Sequence, residues 1–134
     1  MISRSIALEL QQSGVRWSPA SGDAFVINRE GFEGDVFVVS DMTIESHEFE
    51  TGTILGFNGT TEWALDSVAL EQALWLPHEH QLRELLRGAF RSLTRTGSGF
   101  RVEFVVAGRD TFVEEADASD AYATAVLALV RAAV

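Results

Sequence analysis

The chain has 134 residues, of which 46% are hydrophobic, and its 20 acidic residues against 10 basic ones give a formal net charge of −10. This field excludes ordinary binding to the negatively charged backbone of DNA or RNA. The chain has no cysteine and all its basic residues are arginine, which excludes disulfides, thiolate zinc sites, Schiff-base lysines and the lysine of a phosphate loop.

The first predicted element is a short amphipathic helix over residues 3–13. Ile6 and Leu10 share one face of it, and Gly14 is placed to end it. Glu9 interrupts the apolar run early, so we do not expect a signal peptide here.

A block of predicted strands follows. Its segments are Ala24–Asn28, Asp35–Ser40, Met42–Phe49, Thr53–Phe57 and Thr61–Asp66. The second segment is β-branched and apolar on both faces, which predicts a central strand covered on both sides. Asn58-Gly59 predicts a tight hairpin between the last two segments, because both residues tolerate positive φ.

The central helix is predicted to begin at Pro77. Its apolar stripe comprises Leu82, Leu85, Leu86, Ala89, Phe90 and Leu93. Arg83, Arg87, Arg91 and Arg95 recur every fourth residue, so on a helix they form one slowly winding basic stripe. Two interpretations stay open. The stripe is either a solvated helix face, or a surface where Arg83, Arg87 and Arg91 dock an acidic partner.

The last elements are a hairpin and a helix. The hairpin strands are Phe100–Ala107 and Thr111–Glu114, and the helix runs from an N-cap at Asp117 to about Ala132. Apolar residues nearly surround this helix, so it has more apolar surface than one sheet face needs. It is interpreted either as a homodimer interface that includes Leu127 and Val130, or as a helix cradled by the sheet and the first helix.

Together these elements predict one α+β domain over residues 1–134. It has a mainly antiparallel sheet of about five to seven strands and three helices, which are N-terminal, central and C-terminal. The apolar stretch near the C-terminus is too short to span a membrane, and arginine interrupts it, so no membrane contact and a cytoplasmic location are expected.

No group of residues forms a recognisable catalytic or metal-binding motif, and no cofactor or metal is expected. His78-Glu79-His80 lacks the i, i+4 spacing of a zinc-binding helix and is interpreted as a solvated first turn. An enzymatic alternative places Glu45, His47 and Asp66 around a cleft lined by tryptophans. Trp17, Trp63 and Trp75 are interpreted either as lining such a pocket or as core and interface anchors.

Several segments resemble a group of small actinobacterial proteins labelled as pilus-assembly proteins of the CpaE type. They are Trp17-Ser18-Pro19 to Asp23, Gly56 to Val68, Ala73 to Pro77 and Gln81 to Leu86. The resemblance covers nearly the whole chain. It implies no ATPase residue here, because the lysine-bearing phosphate loop of the larger pilus-assembly ATPases has no counterpart.

The leading function hypothesis is therefore a non-enzymatic binding or accessory domain that acts through protein–protein contacts, as a monomer or a homodimer. The alternative is the small-molecule enzyme around Glu45, His47 and Asp66.

Overall fold

A computed structural model describes residues 1–28, 31–32, 34–39, 44–49, 52–57 and 67–133. The chain forms two compact units. One combines Met1–Arg16 with Pro77–Val134, and the other is Trp17–Leu76. They are called here the terminal unit and the inserted unit. The expectation of one domain over residues 1–134 stays a prediction.

The α+β class, with three helices and antiparallel strand pairing, is confirmed in the described residues. The helices are α1 (Arg4–Gln12), α2 (Glu79–Leu86) and α3 (Ala118–Ala132). The strands are β1 (Ala24–Ile27), β2 (Val36–Val38), β3 (Ile44–Phe49), β4 (Gly52–Phe57), β5 (Ser67–Ala69), β6 (Ala73–Leu76), β7 (Phe90–Arg95), β8 (Phe100–Val106) and β9 (Arg109–Glu115). They form three three-stranded sheets with the orders β2-β1-β6, β3-β4-β5 and β7-β8-β9, whereas the sequence interpretation placed them in one sheet.

The terminal unit is built on the β7-β8-β9 sheet. Its central strand alternates between buried Val102 and Phe104 and the more exposed Arg101 and Glu103, so one face is apolar and one is polar. Helix α3 packs against β8, β9, α1 and α2. It begins where predicted, because the side chain of Asp117 accepts hydrogen bonds from the first-turn backbone.

Helix α1 is fixed to the start of α3. Ser3 caps α1 through its hydroxyl, and its own backbone N–H donates to Oδ1 of Asp120 over 2.7 Å. Ala7 and Leu10 are buried, as the amphipathic pattern predicted. Asp120 lies in the first turn of α3, where a negative charge complements the helix dipole, and it also joins chain segments that are distant in sequence.

The inserted unit contains the β2-β1-β6 sheet, in which β1 is central and all four of its residues are buried. Phe25 lies between Phe37 of β2 and Trp75 of β6 in the strand register. The prediction of a central, doubly covered strand at Asp35–Ser40 is wrong: β2 is an edge strand in this sheet, and Val36 and Val38 are 45% and 53% exposed. Strand β6, which the sequence analysis missed, occupies the other side of β1.

The β3-β4-β5 sheet confirms two of the predicted strands, which pair with each other. Phe49 of β3 pairs with Gly52 of β4, and Ile44 pairs with Phe57 at the other end. Strand β5 pairs with the far side of β4. The predicted hairpin at Asn58-Gly59 and its return strand at Thr61–Asp66 lie outside the described residues.

The central helix is shorter than predicted. Helix α2 ends at Leu86, a 3₁₀ turn covers Arg87–Ala89, and the chain then continues as β7. The predicted apolar stripe is therefore wrong beyond Leu86, and also at Leu85, which is 38% exposed on α2. Leu93 is 37% exposed on a strand. The break follows from the backbone of Arg87, which has φ 51° and ψ −132° and cannot continue a helix.

Candidate functional site

The four periodic arginines do not form a helical stripe. Arg83 lies on α2 and Arg87 caps its C-terminus, while Arg91 and Arg95 lie on β7. All four are exposed, as the solvated interpretation requires. Three of them surround the 3₁₀ turn at Arg87–Ala89, and this set of Arg83, Arg87 and Arg91 is called here the arginine turn.

Arg87 has a backbone conformation that glycine adopts far more readily than arginine. Its φ of 51° and ψ of −132° match the first central position of a type II′ turn. A side chain in such a region costs about 1–3 kcal/mol, and Gly88 stands directly beside it. The fold therefore carries backbone strain at an exposed arginine.

Arg91 is the residue at which the β7–β8 pairing is interrupted. Phe90 pairs with Phe104 and Ser92 pairs with Glu103, so Arg91 has no partner on β8 and lies in a bulge. Its Nη1 donates to the carbonyl of Gly88 over 2.6 Å and to that of Phe90 over 3.1 Å. These bonds hold the guanidinium against the 3₁₀ turn.

The arginine turn has no acidic partner in the described part of the chain. The ion pairs between side chains found there join Arg101 to Glu114 and Arg131 to Glu9. Glu84, the acidic residue next to Arg83 on α2, is not among them. The guanidinium charges of the arginine turn therefore face solvent.

The polar face of the β7-β8-β9 sheet presents a side chain that the sequence analysis did not single out. Phe112 is 54% exposed, and the guanidinium carbon of Arg101 lies 4.4 Å from its ring centroid. Arg101 also donates from Nε to Glu114 over 2.8 Å. The alternation of Phe112 with Thr111 and Val113 was the available signal, because Val113 pairs with buried Val102.

The predicted grouping of Trp17, Trp63 and Trp75 is found for two of the three residues. Trp17 and Trp75 stack with ring planes 7° apart and centroids 6.4 Å apart, and Trp17 also contacts Phe25. Trp75 Nε1 is buried and has no hydrogen-bond partner among the described residues. Trp63 lies outside them. The arrangement is that of core anchors on one sheet face.

Two of the three proposed catalytic residues lie on β3. In the β3–β4 register, Glu45 pairs with Gly56 and His47 pairs with Ile54. Asp66, the third residue, lies outside the described residues. The cleft around these residues stays a prediction.

The histidine pair starts a helix, as the solvated interpretation proposed. His78 is the N-cap of α2 and its backbone N–H donates to Oε1 of Gln81 over 2.9 Å. The rings of His78 and His80 stack with centroids 5.7 Å apart. In the ranges that the structure describes, no cluster of three or more potential ligands could hold a metal ion.

Helix α3 buries more of its surface than the dimer hypothesis assumed. Leu127 is only 3% exposed and packs inside its own unit, so it does not line an available surface. Val130, one turn later, is partly exposed. The homodimer itself stays a prediction, but Leu127 is placed in the core. Within the described residues no helix is long and apolar enough to cross a membrane.

The charges of the chain are divided unequally between its two units. The inserted unit has eleven acidic residues and one arginine, whereas the terminal unit has nine of each. The whole net charge of −10 therefore belongs to Trp17–Leu76, and the arginine turn belongs to a unit that is neutral overall. Sequence counting alone does not reveal this, because the terminal unit combines two separate stretches of the chain.

No protein-family model, curated protein or solved structure matches the chain.

Proposed function

We propose that the protein is a non-enzymatic binding domain that acts through protein–protein contacts, and that its inserted unit attracts a basic partner. The observation that carries this proposal is the concentration of the entire net charge of −10 in Trp17–Leu76. A cytoplasmic location belongs to the same proposal. A relationship to CpaE-type pilus-assembly proteins is proposed on the sequence resemblance alone.

The charge difference is large enough to influence association. A surface with a strong excess of one sign raises the local concentration of oppositely charged partners and speeds their diffusional encounter. This attraction weakens as salt shortens the Debye length to about 8 Å at physiological ionic strength. The inserted unit has only Arg29 to offset its carboxylates, so the attraction there is nearly uncompensated.

The test measures binding of a fluorescent octalysine peptide by anisotropy at 50 mM and 300 mM salt. We expect binding at 50 mM salt that weakens at least tenfold at 300 mM. Neutralising Glu30, Glu33 and Asp35 to their amides should reduce affinity several-fold.

The matched control neutralises Glu84, Glu103 and Glu114 in the terminal unit, which removes the same number of charges. Equal weakening by both triple variants would show that the inserted unit has no special role. Absence of binding at 50 mM salt would reject the proposal.

The enzymatic alternative retains one supporting observation, which is that Glu45 and His47 lie two positions apart on β3. Thermal-shift screening of small metabolites against the natural chain and the Glu45→Gln and His47→Gln variants tests it. A ligand that stabilises only the natural chain would favour an enzyme or a small-molecule receptor over the binding domain.

A further inference from the structure

We propose that the arginine turn is a carboxylate-recognition site for an acidic segment of a partner protein. The site lies in the neutral terminal unit, so it does not depend on the basic partner proposed for the inserted unit. The proposal rests on the geometry of Arg91, on the backbone of Arg87 and on the absence of acidic partners in the described part of the chain.

Arg91 presents a fork of donors. Both hydrogen bonds of its guanidinium to described residues leave from Nη1, to the carbonyls of Gly88 and Phe90. The Nε and Nη2 edge of the same plane therefore points away from these bonds and donates to no other described residue. That edge matches the two oxygens of a carboxylate, and an anchored guanidinium loses less conformational entropy when it binds.

The backbone strain at Arg87 supports the same conclusion. Glycine would adopt φ 51° and ψ −132° without strain, yet an exposed arginine stands there and contacts no carboxylate in the described residues. Exposed residues in strained conformations are concentrated at functional sites. A binding role for the Arg87 guanidinium explains why arginine occupies a position that favours glycine.

The third member, Arg83, precedes Arg87 by four residues and lies at the C-terminal end of α2. The backbone N–H of Arg87 donates to the carbonyl of Arg83, so Arg83 places a second arginine one helical turn before Arg87. Three guanidinium groups around one turn suit a short segment that carries several carboxylates. A nucleic acid is the competing polyanion, so the test below includes one.

The experiment titrates the full chain into a fluorescent octaglutamate peptide and, in parallel, into a labelled DNA duplex at 50 mM salt. We expect the peptide to bind and Arg91→Gln to weaken it about five- to tenfold, as the loss of a charged hydrogen-bonded pair implies. Arg91→Lys should weaken peptide binding similarly, because lysine retains the charge but lacks the two parallel N–H donors of a guanidinium group. Arg109→Gln is the matched control, since Arg109 is exposed at the start of β9.

Arg87→Gly separates binding from folding. It should raise the melting temperature, because strain is removed, and at the same time weaken peptide binding. Equal loss of affinity in Arg91→Gln and Arg109→Gln would overturn the proposal in favour of diffuse attraction. So would full affinity in Arg91→Lys, tighter binding of DNA than of the peptide, or no peptide binding. None of these results bears on the octalysine test of the inserted unit.

Discussion

Trp17 donates a hydrogen bond from its indole Nε1 to Oδ2 of Asp23 over 2.9 Å, and the same oxygen accepts the backbone N–H of Ala20 over 3.0 Å. Asp23 is only 5% exposed, so these are bonds to a carboxylate that water barely reaches. They close the turn before β1 and hold the Trp17 ring against Phe25 and Trp75. The carboxylate thus positions the aromatic core of the inserted unit.

Replacing Asp23 by alanine should lower the free energy of unfolding by about 2–3 kcal/mol, because it leaves the Trp17 Nε1–H and the Ala20 N–H without their acceptor. Urea unfolding followed by tryptophan fluorescence measures the change. Asp35→Ala is the control, because Asp35 is exposed, and it should change stability by less than about 0.5 kcal/mol. Equal effects of the two variants would show that the Trp17–Asp23 bond contributes no stability.

Gly99 allows the chain to pass close to the end of β9. A β-carbon at this position would clash with the carbonyl oxygen of Glu115 and lie 2.7 Å from the α-carbon of Ala116. Backbone atoms cannot move aside cheaply, so Gly99→Ala should destabilise the protein by about 1–3 kcal/mol. Gly97→Ala in the same turn is the control, because its β-carbon would meet nothing within 4 Å. Thermal unfolding compares the two variants, and equal melting temperatures would show that the close approach does not require glycine.

The turn between β8 and β9 contains an alanine that asparagine should improve. Ala107 and Gly108 have φ values of 52° and 77°, as a type I′ hairpin turn requires. Asparagine tolerates left-handed backbone better than alanine, so Ala107→Asn should stabilise the protein by about 0.5–1 kcal/mol. The same change at exposed Ala116 is the comparison, because positive φ is not found there. A lower melting temperature for Ala107→Asn would contradict the assigned turn geometry.

Sequence patterns correctly predicted the helices and strands whose turn and capping residues favour the structure that forms. The hairpin around Gly108 and the helix that begins after Asp117 follow from turn and capping chemistry. Strand β7 was missed because the leucines and arginines of residues 82–95 repeat with a helical period. The competing signal was Gly88, which stands in the middle of that pattern and weakens a helix.

The sequence predicted which arginines belong to the candidate site, but it did not predict how they are arranged. The sequence identified Arg83, Arg87 and Arg91 as a group, but it placed them on one helix face. Their actual relationship depends on the strained backbone of Arg87 and on the bulge at Arg91, neither of which a periodicity can show. The charge separation between the units was hidden for a different reason, since it requires knowledge that residues 1–16 pack with residues 77–134.

Leu127 and Val130 allow core packing and self-association to be measured separately. Leu127→Ala should lower the free energy of unfolding by about 2–4 kcal/mol, because the side chain is 3% exposed and its removal leaves a cavity. Val130→Ala should cost less, since part of that side chain already contacts water. Urea unfolding compares the two.

Val130→Glu is the better variant for the predicted homodimer, because glutamate at Leu127 would disrupt the core of a monomer as well. Light scattering at micromolar concentration gives the mass of the natural chain and of this variant. A dimer that Val130→Glu converts to a folded monomer would place Val130 at the interface, since a charge there would have to be buried against the second copy. A natural chain that is already monomeric, or a dimer that Val130→Glu leaves intact, would remove the end of α3 from any interface.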